Sequence, residues 1–366
     1  MAEVHSLFAE YIDKAFPQVV AKVTEKINDR NNESKLIFKE ALDEELSVDM
    51  RWDSNDFNDK IFVAEVVAMD SSLPLRKRGV VSRATGTIAK QGVKYSFNEK
   101  QISDLTILKA RGEQASTIAA KVLNDVPRVI KSIEYANEVT FEQGLSTGQA
   151  SLPYSDGDDK KVVRVSYAYP SANITKASKV WTANDATPIT DLREKIFDKA
   201  DADDNEVKVL WISKTYLNLI RKSAEGKELA ANYAGQVIVN VANLPLPTTS
   251  RLIAALKDEF SLDDVVVVDS HFKSQDKDGK EKGITGWATG NVVGTSAKKV
   301  GRLVYSRLVE EDYPTEGVSY QKSGKYILVS KWATTDPKRE FTGGQAICVP
   351  VIDNPSSVYV LQADKA

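Results

Sequence analysis

The chain is poor in the residues that most enzyme and metal chemistry relies on. Its 366 residues include one cysteine, Cys348, and two histidines, His5 and His271. A single cysteine excludes an intrachain disulfide framework and a cysteine-rich zinc site. Two histidines leave little for histidine metal sites or acid–base work. No run approaches the roughly 18 consecutive apolar residues that a membrane helix needs. The opening Met-Ala-Glu-Val-His has no basic segment leading into an apolar core, so no secretory signal is expected. Neither sign of charge is in large excess: 49 Lys and Arg against 52 Asp and Glu leave a net −3. That balance argues against a protein coating nucleic acid along its whole length. Hydrophobic residues at 42% and charged residues at 28% are ordinary globular usage, which excludes a disordered chain or a fibre. The length predicts about two domains.

The small net charge hides a split. Residues 1–60 carry 8 basic and 14 acidic side chains, and residues 71–131 carry 12 basic and 4 acidic. The basic stretch contains Arg76, Lys77, Arg78, Arg83, Lys90, Lys94 and Lys100. Such runs are often only solvated faces. The sharper expectation is that the two segments meet, within a chain or between chains. Nucleic-acid contact is a third reading, but no helix–turn–helix or zinc-finger frame accompanies the basic residues.

Leu7, Phe8, Tyr11, Ile12 and Phe16 recur at helical spacing after Ser6. Pro17 is expected to interrupt that helix, with Val19, Val20, Val23 and Ile27 starting a second. Leu36 to Leu42 predict a short helix, and residues 61–68 a strand. Residues 71–104 are unusual. They carry Pro74, Gly79, Gly86 and Gly92, with alternation at Val93, Tyr95 and Phe97. They predict a long two-stranded arm with its tip near Arg83 to Gln91. Arms of roughly 12 residues at about 3.3 Å each reach about 40 Å. An isolated hairpin is marginal in water, so a neighbouring subunit is where it would find burial. Residues 113–147 carry the strongest helical stripe: Ile118, Val122, Val126, Val129, Ile130, Ile133 and Phe141. Pro127 either kinks this helix or restarts it after Asp125, and Gly144 and Gly148 mark its end. Beyond it the pattern is mixed α+β. Strands are expected at 162–169, 207–212, 237–241 and 265–268, helices at 191–200, 215–223 and 248–260, a charged loop at 276–283, and mostly strands after Val292.

Catalytic frames are missing. Gly290 to Lys299 lacks the glycine spacing and the Gly-Lys-Ser/Thr of a phosphate cradle. The acidic run from Asp276 has Trp287 where a calcium loop needs its bidentate Glu. Ser-x-x-Lys matches at Ser274 and Ser296 stand without companion motifs. Cys348 lies in an apolar strand pattern, as a core residue would. No catalytic, cofactor-binding or metal-binding residue is assigned. Five tryptophans fit a sugar site as well as core or interface anchors.

The order of features resembles the tailed-phage major capsid proteins of the lambda gpE-like family, which have the Hong-Kong-97-type shell fold. A long helix ends in Phe141-Glu-Gln-Gly-Leu-Ser-Thr-Gly148. The charged turn Ser155-Asp-Gly-Asp-Asp then leads to Val163-Arg-Val-Ser-Tyr-Ala-Tyr-Pro170. Asn173, Trp181 and Thr187-Pro-Ile-Thr-Asp-Leu192 follow. Cys348-Val-Pro-Val-Ile-Asp-Asn-Pro355 and Val358 to Leu361 resemble the family's closing strands. The likeness is best over 113–366. Gly144 stands where the family has alanine, and the acidic segment before residue 60 has no counterpart in it.

The resemblance implies an α+β capsid fold with an N-terminal helical arm (1–60) and an extended β-hairpin loop with flanking strands (61–112). It further implies a peripheral domain with a long spine helix (113–180), an axial domain (181–345), and C-terminal strands returning to the peripheral domain (346–366). It implies a structural protein, not an enzyme, that self-assembles through hexamers and pentamers into an icosahedral shell around double-stranded phage DNA. Arg76, Lys77, Arg78, Arg83, Lys90 and Lys94 would then be intersubunit residues of the arm. The expected partners are sister copies, a portal, a scaffold or decoration protein, and packaged DNA touched non-specifically at the inner surface, with no membrane. The expected location is the virion, with assembly in the host cytoplasm. The rival readings are an encapsulin-like compartment shell, a soluble α+β hydrolase with a carboxylate pair, and a tail or baseplate protein.

Overall fold

A computed structural model of the chain describes residues 3–4, 6–29, 36–55, 83–156, 159–236, 240, 244–275 and 279–366. The strand expected at 61–68, most of the one expected at 237–241, and Arg76, Lys77 and Arg78 lie outside the described residues.

The N-terminal segment is part of the body, not a free arm. One helix runs Ala9–Asn28 with Pro17 inside it. Phe8, Ile12, Phe16 and Val20, each four apart, are all buried in the main core. A proline inside a helix costs about 3 kcal/mol, whereas each buried aromatic or branched side chain contributes about 1.5–3 kcal/mol. Four such residues outweigh the proline, which is exposed on the solvent side. The helix therefore continues where a break was expected.

The largest sheet is organised by the long strand Lys338–Ile352. Its first half pairs antiparallel with Ile327–Thr335 on one edge and with Lys90–Phe97 on the other. Its second half pairs with Gly301–Ser306, which pairs parallel with Leu42–Leu46. Glu3–Val4 and Ser319–Ser323 line the outer edge of Ile327–Thr335. This pairing corrects the arm. Residues 90–97 are a strand of the subunit's own sheet, with Gln91, Val93, Tyr95 and Phe97 half-buried. Residues 83–87 pair instead with Arg51–Asn55. Glu99–Ala110, counted partly into the arm, is a helix closed by a capping box between Asn98 and Gln101.

The spine lies across this sheet. The expected long helix divides at residues 123–125 into Ala115–Val122 and Val126–Thr147. Pro127 sits in the first turn of the second piece, where its missing N–H costs nothing. Asp125 stands at the N-cap position without a side-chain cap bond and holds Arg128 instead, 3.0 Å away. Gly148 ends the helix in the left-handed region at φ 74°. Where the spine crosses the sheet, Gly344 meets Val129 so closely that a Cβ would overlap the Val129 Cγ1.

A second sheet of five strands runs in the order Asp264–Val268, Val209–Ser213, Asn291–Thr295, Tyr359–Gln362, Ile174–Lys176. Alternation divides its side chains between two cores. Leu210, Ile212, Val292 and Leu361 face a satellite core with Leu192, Ile196, Leu217, Leu252 and Leu256 from flanking helices. Trp211, Val293 and Val360 join the main core, where Phe141 of the spine meets Trp211 edge-on at 6.2 Å. Sheet membership thus differs from the division at 181, 345 and 346. Residues 301–352 belong to the large sheet and 359–362 to the second. Phe272–Gln275 pairs antiparallel with Glu281–Ile284, and residues 276–278 of the expected charged loop lie outside the described residues.

Candidate assembly surfaces

Three two-stranded ribbons have no third strand among the described residues: 51–55 with 83–87, 149–156 with 159–166, and 272–275 with 281–284. The first is a stem. Asn55 pairs with Arg83 and Arg51 with Thr87, so the chain leaves for residues 56–82 and returns at adjacent points. Trp52 is buried over Gly86, where a Cβ would come within 2.7 Å of the indole nitrogen. The Trp52 ring also lies 5.9 Å from that of Tyr167. Ser54 Oγ donates to the Ile352 carbonyl at 2.6 Å. Arg302 Nη2 donates to the Asp53 carbonyl at 2.8 Å, and the guanidinium is itself held by Asp353 and Glu45. Those carboxylates raise its pKa further above the ordinary range. The stem is therefore fixed to the large sheet, not hinged.

The turn entering the stem displays apolar side chains. Ser47 Oγ bonds both Asp49 and the Arg51 carbonyl, Met50 is left-handed at φ 57°, and Val48 is 92% exposed. Leu46 pairs with Tyr305 at the end of the parallel pair. Beyond the end of Gly301–Ser306, Val309 and Tyr313 are also exposed.

Of the six arm residues read from the sequence, Arg83 opens the returning stem strand. Lys90 and Lys94 lie on the strand beside 340–347. Lys90 Nζ meets Glu310 at 3.1 Å, and Lys94 Nζ sits 5.5 Å from the centre of the Phe341 ring. Four carboxylates of the acidic N-terminal stretch are answered inside the chain by a different basic segment. Asp43 pairs with Lys299, Glu44 with Lys325, Glu45 with Arg302 and Glu40 with Lys298. One ion pair between the two segments singled out by charge is Glu10 with Lys109.

Two buried ionic clusters escaped the sequence reading. The spine carries Glu134, Glu138 and Glu142, four apart and all buried. Glu134 pairs with Lys39 at 2.7 Å and accepts the Tyr326 hydroxyl at 2.8 Å. Glu138 accepts the backbone N–H groups of Ile37 and Phe38 at 2.8 and 2.9 Å. Glu142 accepts the Trp287 N–H at 3.1 Å. Burial pushes Glu138 up to about 8 and Glu142 up to about 7. Carboxylates on the flank of an apolar helical stripe were the available signal. In the second cluster Lys331 and Glu340 are fully buried at 3.5 Å. Lys331 also donates to Thr342 at 3.0 Å, and burial lowers its pKa. Glu340 accepts the Leu7 N–H at 3.2 Å and the Ser6 hydroxyl, which ties down the N-terminal segment.

Each of these buried carboxylates is engaged within the fold by a hydrogen bond or an ion pair. Cys348 is fully buried, and burial pushes its thiol up to about 12. Trp52, Trp181, Trp211 and Trp287 are core residues, which removes them from a sugar platform. Among the described residues no group of three or more His, Cys, Asp or Glu could hold a metal ion, and no helix is long and apolar enough to cross a membrane.

The fold, a spine helix across one sheet with a second sheet and its helical layer beside it, is similar to that of phage capsid structures, the Hong-Kong-97-type shell fold. The chain aligns over 99% of both lengths with a structure described as a prophage capsid protein from E. coli CFT073, at TM-score 0.55 and 13% identity. It aligns over 100% of its own length and 99% of the other with a phage-related protein from Bordetella bronchiseptica RB50, at TM-score 0.52 and 12% identity. The capsid of cyanophage A-1(L) matches over 92% and 96% of the two lengths, at TM-score 0.50 and 11% identity. No family model matches the sequence, and no curated protein matches it.

Proposed function

We propose that this chain is a major capsid protein, a structural subunit that assembles with its own copies into an icosahedral shell around double-stranded phage DNA. The observation that carries the reading is the end-to-end correspondence with a prophage capsid protein, over 99% of each chain. A shell subunit must join one surface to a different surface of the next copy with a rotation that closes. In this reading the stem 51–55/83–87 launches the extended loop. Arg76, Lys77, Arg78 and Arg83 are its intersubunit cations, and Lys90 and Lys94 form its root in the sheet. The residues around the spine make the peripheral domain, and the five-stranded sheet with its helices makes the axial domain. Portal, scaffold or decoration proteins and packaged DNA are the further partners, and the virion, assembled in the host cytoplasm, is the location.

Negative-stain imaging of the expressed protein tests the reading. Closed particles support it. A monomer with steady turnover favours a hydrolase, and closed particles that co-purify with a cargo enzyme favour a compartment shell. Particle stability is expected to fall as salt rises from about 0.15 M towards 1 M, because the screening length shrinks from about 8 Å to about 3 Å. Light scattering across that series checks it, and a salt-insensitive particle removes charge from the account of subunit contact.

A further inference from the structure

The large sheet carries a trough on the face turned away from the spine. Gly344 turns towards Val129, so by alternation its neighbour Gly343 turns away. Ser330 and Lys94 stand opposite Gly343 on the two adjoining strands, and Trp332 stands opposite Phe341 on the same side. The trough holds about 340 Å³, and its lining includes Lys90, Gly92, Lys94, Ser330, Trp332 and Gly343. Trp332 is half-buried, whereas Trp52, Trp181, Trp211 and Trp287 are core residues. Its ring stacks on Phe341 at 5.3 Å and leans over Gly343, where a Cβ would come within 2.9 Å of it. Lys94 Nζ, against the Phe341 ring, gives the rim a positive charge.

The counterpart is the turn that enters the stem. Leu46, Val48 and Met50 are exposed there. The turn is held stiffly: the Ser47 N–H donates to the Tyr305 carbonyl at 2.7 Å, and Ser47 Oγ accepts the Arg51 N–H at 3.1 Å. The Ser47 hydroxyl also holds the Asp49 carboxyl below its usual range, so it is charged at neutral pH. Knob and trough are both fixed to the sheet and Val48 is exposed, so they do not meet within one subunit. An apolar knob and a pocket elsewhere on the same surface make a heterologous contact when copies meet. A preformed knob loses little freedom on docking. An apolar cavity of about 150 Å³ already admits a benzene ring, so the trough has room for Val48 with part of Leu46 or Met50. A DNA duplex offers phosphates to Lys94 but keeps its bases stacked inside, which leaves Trp332 and the glycine floor unanswered.

We propose that the turn 46–50 of one subunit seats Val48 in the trough of a sister copy, with Asp49 against Lys94. The proposal rests on the shell reading and names one contact within it. A stable interface buries about 1,600 Å², so this contact is an anchor inside a larger surface, of the kind that carries most of the binding energy.

The test uses the full chain. Val48→Glu is expected to keep the melting temperature of the unassembled subunit, because Val48 is exposed, while the yield of closed particles falls about ten-fold or more, as the loss of a hot spot does. Lys94→Glu is expected to lower the yield likewise, and Asp49→Lys to restore it in combination. Under mild oxidation Val48→Cys with Ser330→Cys is expected to give covalent multimers longer than dimers on a non-reducing gel, while Cys348, fully buried, stays silent. Trp332 emission is expected to shift to the blue on assembly. Closed particles in wild-type yield from Val48→Glu, with a double-cysteine chain that stays monomeric, overturn the proposal and leave the shell reading standing. Covalent dimers from Val48→Cys alone put the turn against its own copy and overturn it too. A Trp332 shift produced by duplex DNA on unassembled subunits gives the trough to nucleic acid and overturns it. A wild-type chain that forms no particles overturns both readings. Should Ser330→Cys fail to fold, the exchange of Asp49 and Lys94 decides.

Discussion

Replacing Glu340 by alanine is expected to cost about 3–5 kcal/mol, the usual effect of removing one partner from a buried ion pair. Lys331 is fully buried, and its nearest carboxylate is Glu340 at 3.5 Å. Without it the ammonium keeps Thr342, the face of Phe97 at 5.7 Å from its centre, and the weaker, more distant charge of Asp125. The Leu7 amide and the Ser6 hydroxyl lose their acceptor in the same step, so the N-terminal segment should become the first site of proteolysis. Chemical denaturation gives the magnitude. The control is Lys331→Met combined with Glu340→Leu. Two apolar side chains of similar size often match or exceed a buried pair, so the double variant should recover most of the loss and leave a strong positive coupling between the two positions. A single variant within 1 kcal/mol of the wild type would show that the pair is not desolvated as described.

The second large effect lies where the spine crosses the sheet. Gly344→Ala places a methyl group onto the Val129 Cγ1, between two backbones held by a ladder on one side and a helix on the other. Overpacking of this kind typically costs about 1–3 kcal/mol, and Gly344→Val should exceed that and yield little soluble protein. The remedy is specific. Val129→Ala removes the offending carbon, and the next contacts, Ile133 Cδ1 and the Val129 Cβ, stand at an acceptable 3.4 Å. Val129→Ala with Gly344→Ala should therefore be more stable than Gly344→Ala alone, although Val129→Ala by itself opens a cavity. Thermal melts of the four proteins check the cycle, and simple additivity would mean that the two residues do not touch.

The sequence pattern carried the elements with a local period and failed for those set by distant partners. The stripe from Val126 to Phe141 located the spine, and Pro127 and Gly148 marked its ends, because each acts on its own backbone. The alternation at Val93, Tyr95 and Phe97 identified a strand but not its neighbour. The pairing with 340–347 joins residues about 250 apart, and no local pattern encodes that. The two strands expected to pair with each other within 71–104 instead take distant partners, 83–87 with 51–55 and 90–97 with 340–347, for the same reason. Pro17 misled because a local rule met four buried side chains. The glutamates of the spine went unnoticed because acids on a helix are usually solvated. What buries them, residues 36–39 and 286–287, lies 100 residues before and 145 residues after them along the chain. The shell fold itself was legible through the ordered set of motifs after residue 113, and the comparison with the prophage capsid protein agrees with it.

The fixed stem has a practical corollary. Asn55 and Arg83 face each other on strands bolted to the body by Ser54, Trp52 and Arg302. Closing the intervening stretch is thus already provided for by the scaffold, and doubling its length would add only about 0.6 kcal/mol of closure entropy. A foreign peptide inserted between those two residues should therefore leave the melting of the folded body almost unchanged, while the yield of closed particles reports the subunit contacts proposed for Arg76, Lys77 and Arg78.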